Sequence, residues 1–224
     1  MIQIQKSRVI ADPEDVDRWK AEFLAQHCVV LPKLLEPPLL DLVFERLERG
    51  CWRDSVNEGV GREVVLFDAP AIGLLHFGVN TSFFLNTVQE ITGCGPLTRF
   101  EGRVYRFVPN SGHHAGWHAD SGNGLIGMSL NLSRRGYQGG LFQLREAQTE
   151  RMLAEIANTG WGDAMLFRIS EKLQHRVTEM IGCEPKTAFA GWFKSEDRNP
   201  FTRTRVSSER PGLAAHSLRK LETD

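Results

Sequence analysis

The chain has 224 residues, of which 41% are hydrophobic and 25% charged, the proportions of an ordinary globular protein long enough for one sizeable domain. A formal net charge of -1 gives no basic footprint, so nucleic acid is not an expected partner. No long apolar run opens the chain, so neither a signal peptide nor a membrane span is expected, and Cys28, Cys51, Cys94 and Cys183 are too scattered for a framework. Free thiols in a reducing cytoplasm follow as the simplest expectation.

Asp12 before Pro13 predicts an N-cap and a first helical residue, with Val16, Trp19, Phe23 and Leu24 at helical spacing behind them. The apolar run 27–31, stopped by Pro32, suits a strand. Pro37 and Pro38 open a second helix with the stripe Leu39, Leu42, Val43 and Leu47, stopped at Gly50. Residues 51–70 read as loop with some extended structure, and a third helix covers 81–92, ending at Gly93. Strand patterns then dominate: 99–108, 125–132, 140–144, 164–169, 174–180 and 187–193, with a helical insertion predicted over 149–158. Helices first and strands after predict a mainly β (α+β) fold, a β core with N-terminal helices packed on it. The expected organisation is one domain over residues 1–200, helical to 95 and β from 96 to 194, with 201–224 as a tail.

The sharpest motif is Trp117-His118-Ala119-Asp120. In an extended segment, residues i and i+2 project from one face, so His118 and Asp120 can address one metal. A third ligand must come from a distant strand, and His175 is the best placed, with His216 of the tail a poor rival. Two histidines and a carboxylate leave open positions on an octahedral metal, the arrangement of non-haem Fe(II) oxygenases. Lys186 and the run Ala190-Gly191-Trp192-Phe193 follow the distal histidine, and a cation there suits a carboxylate-bearing cosubstrate.

H-x-D, a distal histidine, a basic residue and a G-W-F strand together resemble the 2-oxoglutarate/Fe(II) dioxygenase superfamily, and most closely its prolyl-hydroxylase-like branch. Gly139-Gly140-Leu141, the run Gly162-Asp163-Ala164-Met165-Leu166-Phe167 and Cys28-Val29-Val30-Leu31-Pro32 are similar to other family segments. The resemblance implies a double-stranded β-helix (jelly roll) with His118, Asp120 and His175 as the catalytic metal site. It also implies Fe(II), 2-oxoglutarate and O2 as cofactor and cosubstrates, and Lys186 as the residue holding the cosubstrate's 5-carboxylate. The family's cosubstrate tyrosine is missing, because Ser129 stands before Leu130-Asn131; Asn131 is the candidate substitute. The implied activity is hydroxylation of a small-molecule or peptidyl substrate, coupled to conversion of 2-oxoglutarate to succinate and carbon dioxide. Asp120 speaks against the family's halogenating members, which lack this carboxylate.

Two other classes share the motif: a non-catalytic metal-binding β-barrel module or sensor, and a zinc or manganese enzyme. His113 and His114 read as loop or substrate-side residues, since Pro109, Gly112 and Gly116 oppose a helical zinc motif. Tyr105, Arg106 and Phe107 lie on a strand with one face to the pocket; for Arg106 a substrate contact and a structural ion pair are both open. Trp192 shares strand parity with Lys186, so its edge is a candidate lining. Arg134 and Arg135 read as solvated loop, and 52–75 with 122–124 are expected to shape the pocket.

Overall fold

In the computed structural model, residues 1–157 and 159–195 are described. The predicted tail and His216 lie outside them. The chain opens with β1 (Ile2–Ile4) and β2 (Val9–Ala11), an antiparallel pair too short for sequence periodicity to reveal. Helix α1 (Pro13–Gln26) begins as predicted, with the Asp12 carboxylate accepting from Glu14 N at 3.0 Å. It ends at His27, which takes the left-handed conformation (φ 60°) and hands the chain to β3 (Cys28–Leu31). Helix α2 (Pro37–Arg49) buries Leu39, Leu40, Val43 and Leu47.

Residues 51–70 hold more extended structure than the expected loop with some of it. They form the hairpin β4 (Trp52–Asn57) and β5 (Gly61–Leu66), whose strands carry charges on their exposed positions and so hide the apolar alternation. Helix α3 (Ala69–Val79) also escaped the sequence reading: Ile72, Leu74, Leu75 and Phe77 surround it, leaving no polar face to mark the period. Helix α4 (Ser82–Thr92) ends as expected at Gly93, a left-handed C-cap, while Thr81, expected inside the helix, is its N-cap.

The β region runs β6 (Arg99–Phe107), β7 (His114–His118), β8 (Ile126–Asn131), β9 (Gln138–Gly139), β10 (Phe142–Glu146), β11 (Met152–Ile156), β12 (Ala164–Arg168), β13 (Leu173–Val177), β14 (Met180–Ile181) and β15 (Lys186–Lys194). The helix predicted over 149–158 is wrong: Met152–Ile156 is a strand, and Asn158 is not described. Its residues are good helix formers, but a turn through Glu150 (φ 56°) pairs them with β10, Phe142 opposite Ile156. Tertiary pairing overrides the local preference.

The order β11-β10-β13-β7-β5-β6-β15-β8-β12-β3 makes one antiparallel sheet, with β4 paired to β5. The sheet folds over itself, so that β5, β6, β8, β12 and β15 face β7, β10 and β13 across one cavity. This is the jelly-roll core expected from the sequence. The helices cover the outer face of the longer wall: Trp19, Phe23, Phe84 and Val88 join Val104, Leu130, Phe189 and Phe193 in one core. Phe100 sits between Phe189 and Phe193 with ring centroids 5.3 and 4.8 Å away. No helix among the described residues is long and apolar enough to cross a membrane.

Candidate metal centre

His118 ends β7 and His175 lies on β13, directly opposite in the antiparallel register. Their ring centroids are 4.3 Å apart. Asp120 follows two residues after β7 and turns its carboxylate into the gap, with Oδ1 3.8 Å from His118 Nε2 and Oδ2 3.5 Å from His175 Nε2. One potential ligand atom from each residue falls within 4.8 Å of the others, so the sequence-predicted trio is brought together.

The surroundings orient these groups. His118 Nδ1 lies 2.7 Å from Gly116 O, which fixes the tautomer with Nδ1 donating and Nε2 carrying a free lone pair. Trp192 Nε1 donates to Asp120 Oδ2 at 2.7 Å, and Asn123 Nδ2 donates to Oδ1 at 3.3 Å. His175 is buried against Phe142 and Phe167, and its pKa is lowered to about 4. Burial is the main cause, then the neighbouring His118, with Asp120 opposing. A neutral imidazole is the form a metal requires. The donor set fits a divalent first-row metal that keeps open positions.

The cavity beside the trio has a volume of about 110 Å³ and opens to solvent at its mouth. Lys186 reaches into it from the start of β15 and is only 7% exposed. Its Nζ donates to Gly140 O at 2.8 Å and lies 5.6 Å from the Tyr137 ring centre. Burial alone lowers its pKa to about 8. A buried ammonium with one hydrogen bond has donors to spare for an anion.

Asn131 is placed differently. Its amide nitrogen donates to Thr159 O and Gly160 O at 2.6 and 3.1 Å, and its carbonyl accepts from Ser133 N at 2.9 Å. It lines a small recess behind Lys186 rather than the main cavity. Arg106 lines a separate groove rather than the cavity, donates to Thr187 Oγ1 at 3.0 Å and stacks 4.1 Å over Trp52, with no ion pair among the described residues. Tyr105 and Phe107, on the opposite face of β6, line the cavity. His113 accepts from Val108 N and is buried, while His114 lines the cavity mouth with Nδ1 2.9 Å from Gly112 O. Arg134 stacks on Phe44 and Trp161, and Arg135 pairs with Glu184 at 3.0 Å, both in a groove against α2. The 122–124 loop serves the site through Asn123. Glu63 and Arg103, which also line the cavity, escaped the sequence reading. Strand parity with Tyr105 was the available signal for Arg103, and none existed for Glu63.

No family model and no curated protein sequence matches the chain. Solved structures do. A Pseudomonas putida prolyl-4-hydroxylase superposes with a TM-score of 0.60 at 14% identity, over 80% of this chain and 98% of that one. A Trichoplax adhaerens prolyl hydroxylase, solved with a hypoxia inducible factor peptide fragment, gives 0.59 at 13% identity over 86% and 97%. The non-haem α-ketoglutarate dependent epimerase of nogalamycin biosynthesis gives 0.59 at 14% over 95% and 98%.

The chain shares the fold of these solved enzymes. His118 and His175 sit on neighbouring paired strands of the shorter wall, and Lys186 stands on the longer one. Both groups line the same cavity. The epimerase shows that the same fold serves more than one outcome at the substrate.

Proposed function

We propose that the protein is a non-haem Fe(II) oxygenase that couples oxidative decarboxylation of 2-oxoglutarate to hydroxylation of a small-molecule or peptidyl substrate. The observation that carries this reading is the convergence of His118, Asp120 and His175 within 4.8 Å, in a cavity that also holds a buried lysine. His118 Nε2, one Asp120 oxygen and His175 Nε2 hold the metal. Bound Fe(II) supplies the activation of O2 that drives both oxidations. Lys186 takes the far carboxylate of the cosubstrate, a charge-assisted contact in a dry site. Trp192 and Asn123 keep Asp120 from rotating, and Phe142 and Phe167 exclude water around His175. Asn131 enters only as the residue that fastens the wall behind Lys186. The largest hydrophobic cluster joins helices and sheet, which supports reading residues 1–200 as one catalytic domain. Free cysteines at positions 28, 51, 94 and 183 support a cytoplasmic setting.

Anaerobic addition of Fe(II) and then 2-oxoglutarate tests the reading. A weak visible metal-to-ligand charge-transfer band is expected, followed by succinate release in air. Iron binding without the band would favour a metal-binding module or another metalloenzyme.

A further inference from the structure

Glu63 is a charged residue on the cavity wall that the metal centre does not use. It is 4% exposed. All of its hydrogen bonds among the described residues fall on one oxygen: Oε1 accepts from Arg103 Nε at 2.8 Å, Arg103 Nη2 at 2.6 Å and Asn57 Nδ2 at 3.2 Å. Oε2 makes none. Nor is it sealed, because the fully buried side-chain atoms without a partner among the described residues are His27 Nδ1 and Arg168 Nε. Oε2 therefore keeps some exposure, and Glu63 lines the cavity. Arg103 is in the same position: Nε and Nη2 are spent on Glu63, and Nη1 has no bond among the described residues. Glu63 is buried while the Arg103 side chain is 38% exposed, so the pair borders the cavity with one unused acceptor and one unused donor that a ligand of matching polarity can complete.

The pair stands apart from the cosubstrate lysine. Arg103 is paired with Ala190, two residues from Trp192, the donor to Asp120, and four from Lys186, roughly 13 Å along the strand. The β4–β5 turn closes over this end. Gly61 pairs with Ala115, and Gly116 N donates to Val60 O at 2.6 Å. A turn stitched to β7 in this way leaves room for a small ligand better than for a through-running polypeptide.

We infer that Glu63 and Arg103 bind the ammonium and carboxylate of a free α-amino acid, whose side chain is then presented to the metal centre. The inference rests on the oxygenase reading for the chemistry but not for the binding. Charge favours a zwitterion. At the loaded metal end, the divalent ion and Lys186 cancel Asp120 and the dicarboxylate cosubstrate. At the other end Glu63 and Arg103 cancel each other. A net-neutral ligand with separated charges satisfies both free atoms and leaves no buried excess. A peptide unit offers the same donor and acceptor without charge, and gains less from each.

The test is calorimetric titration of free amino acids, their N-acetyl derivatives and their amides into protein loaded with Mn(II) and 2-oxoglutarate. At least one free amino acid binds, and blocking either end weakens it by tenfold or more. Glu63→Gln and Arg103→Gln each weaken it roughly ten- to hundredfold, one charge-assisted contact being lost. Binding of 2-oxoglutarate is measured in the same samples to show that the site is folded. Absence of binding by every free amino acid overturns the inference. So does equal binding of the blocked derivatives, or unchanged affinity in Glu63→Gln. The titration is repeated on metal-free protein. Failure of Mn(II) and 2-oxoglutarate to bind would then remove the oxygenase reading, while the amino-acid result remains readable.

Discussion

The indole of Trp192 holds the carboxylate of Asp120, Nε1 to Oδ2 at 2.7 Å, across 72 residues of sequence. The two residues lie on different walls of the jelly roll, so this bond ties the loop after β7 to β15. Trp192→Phe keeps the ring and removes the donor. Iron affinity is expected to fall about ten- to hundredfold, the usual effect of removing a group that orients a ligand. Competition against a chromogenic chelator measures it. Unchanged affinity would reduce Trp192 to a packing residue.

His175→Ala removes a ligand and leaves two donors. Metal retention and 2-oxoglutarate turnover are both expected to disappear, as read by metal analysis after desalting and by succinate assay. Iron-dependent turnover surviving in this variant would exclude His175 from the site.

Lys186→Ala is expected to weaken 2-oxoglutarate binding by about 1.5–3 kcal/mol while leaving iron affinity intact. The same residue predicts a pH profile. Burial lowers its folded pKa from 10.5 to about 8, so the ammonium loses its proton above that pH. Affinity for 2-oxoglutarate should be flat below pH 8 and decline as pH rises beyond it. Stability runs the other way. The unfolded chain binds the extra proton between about 8 and 10.5, so this group's contribution to stability is full above 10.5 and is lost as pH falls through 8. Titrations of cosubstrate affinity across pH 7–10, with Lys186→Met as the flat control, check the first half.

Gly191 lies against the β6 backbone, where a Cβ would come within 1.9 Å of Glu101 O and 2.4 Å of Gly102 Cα. Neither atom belongs to a flexible side chain. Gly191→Ala should therefore destabilise the protein by about 1–3 kcal/mol, through forced separation of β6 and β15. Thermal unfolding reads this directly, and an unchanged midpoint would mean that the strands separate at little cost.

Much of the site was legible in the sequence because strand periodicity is local. His118 and Asp120 share a face by spacing, Lys186 and Trp192 share one by parity, and Asp12 and Gly93 mark helix ends through a side chain or the lack of one. The local signals failed where a partner decides the conformation. Residues 152–156 prefer a helix until β10 offers a ladder, and the charged β4–β5 hairpin reads as loop until β6 and β7 receive it.

The sequence by itself determined which groups converge: two histidines, one aspartate and a lysine in the order that an antiparallel fold brings to one cavity. Only the tertiary structure decided which neighbours those groups meet. Asn131, a sequence candidate, is engaged by backbone, and Arg106 faces outward onto Trp52. Glu63 and Arg103, 40 residues apart, meet on the cavity wall. Burial and cross-strand register are properties of the folded sheet, and no residue carries them alone.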